Sequence, residues 1–218
     1  MQCRALHLEP SGSRAALSAV RRESLTTMPH PNQEKSDLRR EIRALRRALS
    51  DAERARSSNL VAKNLKSLPQ WQGATRIALY LSQDGEVDTA PVADLARSED
   101  KALYLPVLAT DQHMDFARWE TGAVLVPNRY GIPEPSAEVP RVSAAELDLI
   151  CLPLVAWTRA GDRLGMGGGY YDRTLAGADA LKVGLAYELQ QRDVLPRETW
   201  DVGLNFVATE SALHKCQG

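Results

Sequence analysis

"LDLICLPLVAW", residues 147 to 157, is apolar almost throughout. A strand with one face in water alternates apolar and polar residues, whereas a strand covered on both faces does not. The stretch therefore reads as the central strand of a buried sheet, and that reading decides the fold class. Upstream, "RIALYLS" (76 to 82) and "KALYLPV" (101 to 107) are short apolar runs of strand type. Between them "DTAPVADLA" opens on cap-like residues and carries Pro91 in its first turn, where proline is tolerated. This is a strand, helix, strand unit of the parallel kind. "MDFARWE" (114 to 120) and "LKVGLAY" (181 to 187) read as further strands, and "NFVATE" (205 to 210) as a last edge strand. The proline-punctuated "VPNRYGIPEPSAEVP" (126 to 140) reads as a surface loop. The expected architecture is α/β: a three-layer, open, mostly parallel sheet with helices on both faces, in a single domain over residues 31 to 218.

Ahead of the sheet, a helix is expected from Asn32 as N-cap, with Leu38, Ile42, Leu45 and Leu49 as one apolar stripe. "SDAE" (50 to 53) has the capping-box form and opens a second helix running towards Leu68, which Pro69 ends.

Composition narrows the function. Charged residues make up 25% and the net charge is −1, so nothing in the balance calls for nucleic acid or an anionic membrane as partner. No uncharged apolar run approaches the roughly eighteen residues of a membrane span. Cys3, Cys151 and Cys216 are odd in number and far apart, which excludes a disulfide framework or a CxxC zinc site and fits a reducing, cytoplasmic setting. His7, His30, His113 and His214 form no HExxH pair, and no GxSxG elbow occurs, so zinc and serine hydrolysis are poor fits. Residues 1 to 30 are rich in serine, arginine and proline and lack an apolar signal core. They read as a disordered extension, with Met28 as an alternative start. Organelle targeting is the other reading, permitted by the excess of arginine and opposed by Glu9 and Glu23.

Behind the central strand, a short turn "TRAGD" leads into "RLGMGGGYYDRTL" (163 to 175). Glycine loses more entropy on folding than any other residue, so its clustering points to backbone that bends unusually or lies against something. Gly165, Gly167, Gly168 and Gly169 would let successive N–H groups converge on an anion beyond the carboxyl end of a strand, with a helix starting near Tyr170 behind them. The loop is not a Walker A sequence, since no Lys-Ser or Lys-Thr follows, and it fails GxGxxG at Tyr170. A phosphate cradle and a purely structural turn both remain open on these grounds.

"PLVAWTRAGDRLGMGGGYYDRTL" (153 to 175) resembles the signature of the 5-formyltetrahydrofolate cyclo-ligase family. The resemblance runs over about residues 35 to 210, through "KSDLRREIRALRRALS", "LYLSQDGEVDT", "KALYLPV", "YGIPEP", "LDLICLPLVA", "GLAYELQQRDVLP" and "WDVGLNFVATE". It implies ATP- and magnesium-dependent closure of 5-formyltetrahydrofolate to 5,10-methenyltetrahydrofolate, with release of ADP and phosphate. By the same resemblance Lys35 and Arg39, one helical turn apart, contact ATP phosphates, and Arg163, Leu164, Gly165, Met166, Gly167, Gly168, Gly169, Tyr170 and Tyr171 form the ATP loop. Met166 to Tyr170 also line the folate pocket, together with Leu81 and Glu86, whose carboxylate is shaped to accept two hydrogens from the pterin amidine edge. Lys35, Arg39 and Arg173 are the expected catalytic cations. Asp172 and Asp201 match magnesium ligands, and oxygen ligands suit that hard ion. Tyr130 and Gln190 are further pocket candidates, while Arg40, Arg43 and Arg47 read as a solvated face.

Two departures stand out. Trp157-Thr158 replaces the usual Phe-Asp, and Gly203 stands where proline is common. A paralogue acting on another small substrate, or an RNA-binding module built on the arginine-rich helix, are the competing readings. Against the second, Glu34, Asp37, Glu41, Asp51 and Glu53 are interspersed with the basic residues, and no aromatic platform accompanies them. A monomer acting on small molecules is expected. Because every matched residue lies after position 30, removal of residues 1 to 28 should leave turnover and thermal midpoint unchanged. A large fall in either would mean that the extension packs on the domain.

Overall fold

Four helices and twelve strands make up the computed structural model, which describes residues 31 to 109 and 112 to 217. The expectations for residues 1 to 30 lie outside the described residues. The chain runs α1 (Pro31–Ala48), α2 (Asp51–Lys66), β1 (Arg76–Ala78), α3 (Ala90–Ser98), β2 (Ala102–Leu108) and β3 (Met114–Arg118). Then follow β4 (Leu125–Pro127), β5 (Pro133–Pro135), β6 (Arg141–Val142), β7 (Leu149–Leu152), β8 (Ala156–Trp157) and β9 (Arg163–Leu164). The chain closes with α4 (Tyr170–Leu175), β10 (Leu181–Leu185), β11 (Phe206–Ala208) and β12 (Leu213–Lys215).

Eight strands form one sheet in the order β12-β11-β10-β7-β1-β2-β3-β6. Its five inner strands, β11 to β2, are parallel to one another, and antiparallel strands finish both edges. All four residues of β7 are fully buried, which is why the sequence shows no alternation there. On one face, Val61, Leu65, Val92 and Ala96 of α2 and α3 pack on Ile77, Leu103, Leu149 and Val183. On the other, Leu175 of α4 packs with Trp157 and Leu204 on Ala78, Ile150 and Val207. Burial contributes roughly 1.5–3 kcal/mol for each large apolar side chain. The α/β class with layers on both faces is as expected.

Local chemistry sets the element boundaries. The capping box opens α2: Ser50 Oγ accepts the Glu53 N–H at 3.3 Å, and Glu53 Oε2 accepts the Ser50 N–H at 2.8 Å. The long apolar run at 147 to 157 does not continue as one strand. Pro153 has no N–H for the ladder, so β7 ends at Leu152 and Ala156–Trp157 pairs instead with β9 as a separate hairpin. Strand β1 is likewise shorter than "RIALYLS": the Tyr80 carbonyl accepts the Thr89 hydroxyl at 2.6 Å, and the chain turns out of the sheet. The expected loop at 126 to 140 holds the hairpin β4–β5. β11 is internal, and the edge beyond it is β12.

Helix α1 differs most from its expected form. It begins at Pro31, so Asn32 lies in its first turn rather than capping it. Ile42 is buried against Val155, Ala156 and Leu164 of the hairpin, but Leu45 is 44% exposed. The inward position is taken by Arg46, which is 0% exposed. The inward face therefore reads 35, 39, 42, 46, and two of its buried members, Lys35 and Arg46, are charged.

The turn between β8 and β9 depends on Gly161. Its φ is +98°, and a Cβ there would lie 2.7 Å from the Leu204 carbonyl oxygen, whose own N–H donates to Gly161 O at 2.9 Å. Gly161→Ala should destabilise the fold by about 2 kcal/mol, the scale of one enforced left-handed residue. A urea midpoint equal to wild type would show that this turn relaxes freely.

Candidate active site

Connections leave β1 towards β2 on one side and β7 towards β10 on the other, so the strand order reverses between β1 and β7. A crevice forms outside the carboxyl ends of the strands at such a reversal. Here it is a cleft of about 1120 Å³, roofed by α1 and lined by the glycine segment, the chain after β1, the β4–β5 hairpin and residues 198 to 202. The residues named from the sequence for ATP, folate and magnesium all line it: Lys35, Arg39, Leu81, Glu86, Arg163 to Arg173 and Asp201. Tyr130 does as well. Gln190 does not: it is buried, donates to the carbonyls of Leu154 and Val155 at 2.9 and 2.8 Å, and accepts the Tyr187 N–H, so its role is structural.

The glycine segment leaves its backbone uncommitted. Among the described residues, no N–H from Gly165 to Gly169 donates to a protein acceptor. Gly167 and Gly169 have φ of +102° and +65°, a region that side chains with a Cβ rarely enter. Cations hold the segment in this shape from both sides. Arg39 Nε donates to Gly165 O at 2.8 Å, and its guanidinium lies against Gly167. Arg173 Nε and NH2 donate to Gln112 O at 3.1 Å and Gly168 O at 2.5 Å. Arg173 thus braces the loop through its carbonyls. Burial pulls the Arg39 guanidinium below its ordinary range, and Asp201 works against that shift. Helix α4, with Tyr170 at its start, has only six residues, so its dipole adds little to the loop.

Lys35 meets a residue that the sequence reading missed. Its Nζ donates to Glu198 Oε1 at 3.1 Å and lies 3.9 Å from Asp201 Oδ2. Glu198, 163 positions away, carries no local pattern that announces it; only the fold brings it to α1. Asp172 Oδ1 accepts from Arg163 NH2 at 2.6 Å and from the Val202 N–H at 3.1 Å. Arg163 therefore faces Asp172 and Tyr171, beneath the loop, and offers the cleft mainly its backbone. Asp201 Oδ2 accepts the Glu198 N–H at 2.8 Å. Asp172 Oδ2 and Asp201 Oδ1 have no protein donor among the described residues, and no group of three or more metal-type side chains occurs there. Such a donor set fits magnesium, which takes one or two carboxylates and fills its remaining positions with water and substrate phosphate.

At the opposite end Glu86 is largely enclosed, its side chain 12% exposed, and Gln83 N–H donates to Oε2 at 3.1 Å. Burial pushes its carboxyl above the ordinary range. The loop that carries it is tied to α1 through Asp84, whose carboxylate accepts from Arg43 Nε at 2.5 Å and from Arg47. Of these two arginines, expected as a solvated face, Arg43 is half-buried against Asp84, while Arg47 stays exposed and reaches the same aspartate from the surface. Across the mouth, Tyr130 of the hairpin reaches Tyr170, hydroxyl to hydroxyl at 3.0 Å, and Arg129 NH2 donates to the Tyr170 hydroxyl at 2.8 Å. The Tyr130 bond and Arg129 lower the Tyr170 phenol from its ordinary range. Of the two departures, Thr158 is absorbed locally: Asp162 N–H donates to its Oγ1 at 3.1 Å inside the hairpin turn.

Comparison with known proteins agrees with this geometry. The model of the 5-formyltetrahydrofolate cyclo-ligase family matches residues 31–210. The 5-formyltetrahydrofolate cyclo-ligase of Haemophilus influenzae is 39% identical over 178 residues, covering 79% of this chain and 95% of that protein. The Escherichia coli K12 enzyme of the same name is 38% identical, covering 78% and 97%. A solved structure of the 5,10-methenyltetrahydrofolate synthetase of Aquifex aeolicus superposes with a TM-score of 0.75 at 38% identity, over 84% of this chain and 93% of that one.

The open backbone of the glycine segment yields a direct test. A Cβ on Gly168 would meet only the edge of the Tyr170 ring, at 3.0 Å, and no backbone, so Gly168→Val should fold with a thermal midpoint near wild type. It should nonetheless weaken a non-hydrolysable ATP analogue at least tenfold in isothermal titration, because the branched side chain keeps phosphate from the bare backbone. Undiminished affinity would reduce the segment to a turn.

Proposed function

The chain belongs to the 5-formyltetrahydrofolate cyclo-ligase family, and from that premise we infer how its cleft uses ATP to close 5-formyltetrahydrofolate to 5,10-methenyltetrahydrofolate. The observation that carries the reading is the juxtaposition of five uncommitted backbone N–H groups, Lys35 and Arg39 in one cleft with the enclosed carboxylate of Glu86.

The chemistry explains why both ends are needed. A formamide oxygen is a poor leaving group, so closure by N10 would have to expel something close to hydroxide. Transfer of the γ-phosphoryl of ATP to that oxygen gives an N5-iminium phosphate and ADP. The N10 lone pair then attacks the formyl carbon, the carbon–oxygen bond breaks with phosphate departing, and N10 loses its proton. The protein's task is to hold the phosphoryl group in line with the oxygen and to neutralise the charge that develops.

In this reading the backbone from Gly165 to Gly169 cradles phosphate oxygens, and Lys35 and Arg39 supply fixed positive charge from α1. Glu198 neutralises Lys35 in the free protein and moves aside for phosphate. Arg173 and Arg163 keep the loop open, the first by holding its carbonyls and the second from beneath through Asp172. Leu81, Met166 and Tyr170 wall the folate, with Glu86 on its pterin edge. Asp172 and Asp201 would hold magnesium, which, when bound, offsets phosphate charge. The setting is the cytoplasm, consistent with Cys151 and Cys216 being free buried thiols, and the working unit is a monomer on a small-molecule substrate. Of the arginine-rich helix on which the RNA-binding alternative was built, Arg43, Arg46 and Arg47 are engaged by Asp84.

Formation of the methenyl product, followed by its absorbance with purified protein, 5-formyltetrahydrofolate, magnesium and ATP, tests the reading directly. Lys35→Met should lower that turnover roughly 10²-fold, the scale for deleting one preorganised charge-stabilising group. Methionine is a good helix former of similar length, so α1 should persist. Wild-type kinetics in the folded mutant would remove Lys35 from the ATP site.

A further inference from the structure

Arg46 needs a reason to be where it is. It is fully enclosed, and placing a guanidinium out of water is costly compared with an apolar side chain of the same size. NH1 donates to Leu154 O at 3.1 Å, and NH2 to Asp84 O at 3.0 Å and Asp84 Oδ2 at 3.4 Å. Nε has no hydrogen-bond partner among the described residues, so hydrogen bonding alone does not account for the residue. What the guanidinium does face is Glu86: NH1 lies 4.0 Å from Oε1. The inward face of α1 thus carries Lys35 and Arg39 at one end of the cleft and Arg46 at the other.

We propose that Arg46 is a positioning residue for folate, supplying from inside α1 the counter-charge that holds the Glu86 carboxylate as an anion aimed into the cleft. The inference rests on the role given to Glu86 above. An ionised carboxylate accepts two N–H groups side by side, as an amidine edge requires, whereas a protonated one must donate from one oxygen. Two influences favour the protonated form: burial, and Asp84 on the same loop. Against them stand the Gln83 N–H and, as counter-charges, Arg46 and then Arg43 of α1, and Arg43 is already committed to Asp84. The phenols of Tyr80, after β1, and Tyr171, of α4, also face Glu86 and stay neutral, raised well above their ordinary range by burial. The Tyr187 hydroxyl donates to the Glu86 carbonyl. Arg46 is the charge whose removal tips the balance.

The test compares full-length wild type, Arg46→Met, Arg46→Lys, Glu86→Gln and the Arg46→Met/Glu86→Gln double variant between pH 5.5 and 8.5. In wild type the KM for 5-formyltetrahydrofolate should be nearly flat over this range. In Arg46→Met it should rise at least tenfold at pH 6 and recover as pH increases and Glu86 regains its charge, while the KM for ATP stays within twofold. Glu86→Gln should raise the folate KM at every pH, and adding Arg46→Met to it should cost nothing more. Arg46→Lys keeps the charge and should keep the flat profile, which decides the matter even if Arg46→Met does not fold. Equal rises in both KM values without a pH trend, a further loss in the double variant, or a pH-dependent Arg46→Lys would overturn the proposal. Absence of turnover in wild type itself would instead sink the functional reading on which it rests.

Discussion

Helix α1 lies across the open end of the sheet because its arginines close on a single aspartate. Asp84 receives Arg43, Arg46 and Arg47, and its backbone sits at a φ of 52°, left-handed and without glycine's freedom. The three contacts overdetermine that conformation, which is the condition under which strained backbone persists. Through them a helix that has few apolar side chains to bury, chiefly Ile42 and Leu38, becomes part of the domain. Its position in turn sets where Lys35 and Arg39 stand over the glycine segment and where the loop holding Glu86 ends. The cleft is therefore a property of this clamp as much as of the sheet.

The sheet contributes through where its strands stop. β1 ends after three residues and β7 after four, the first as the chain turns towards Thr89 and the second at Pro153. Each early stop releases backbone into the crevice where the strand order reverses. The released chain is then fixed by side chains rather than by a ladder: Arg39 and Arg173 on the carbonyls of the glycine segment, Gln190 on the carbonyls of Leu154 and Val155. Carbonyls are satisfied in this way while the N–H groups from Gly165 to Gly169 are left over. That imbalance suits the segment to an anion without any side chain of the loop.

The departures from the family pattern show the same economy. Thr158 stands where an acid is usual, and its hydroxyl accepts the Asp162 N–H and donates to Asp162 Oδ2 at 3.2 Å, with Arg197 on Oδ1 at 3.0 Å. Asp172 and Asp201, which line the cleft, have partners of their own outside this turn.

Much of this was legible in the residues. Unbroken hydrophobicity at 147 to 157 marked a strand buried on both faces, the strand, helix, strand pattern marked parallel pairing, and the capping box at 50 to 53 marked where α2 begins, because burial and capping act through near neighbours. The glycine cluster marked backbone with a special task, and the ordered family motifs supplied its chemistry. What local pattern could not supply was every feature that depends on distant groups meeting. Helical periodicity placed Leu45 inside, but the carbonyl of Leu154 and the carboxylates of Asp84 and Glu86 come to the neighbouring position, and they demand a cation, so Arg46 is buried and Leu45 faces water. The split of the apolar run at Pro153, the pairing of Lys35 with Glu198 and the convergence of Arg43 and Arg47 on Asp84 have the same origin. Hydrophobic patterning is additive along a chain and can be read from it. A charge finds its partner in three dimensions, and only the tertiary structure decides which one.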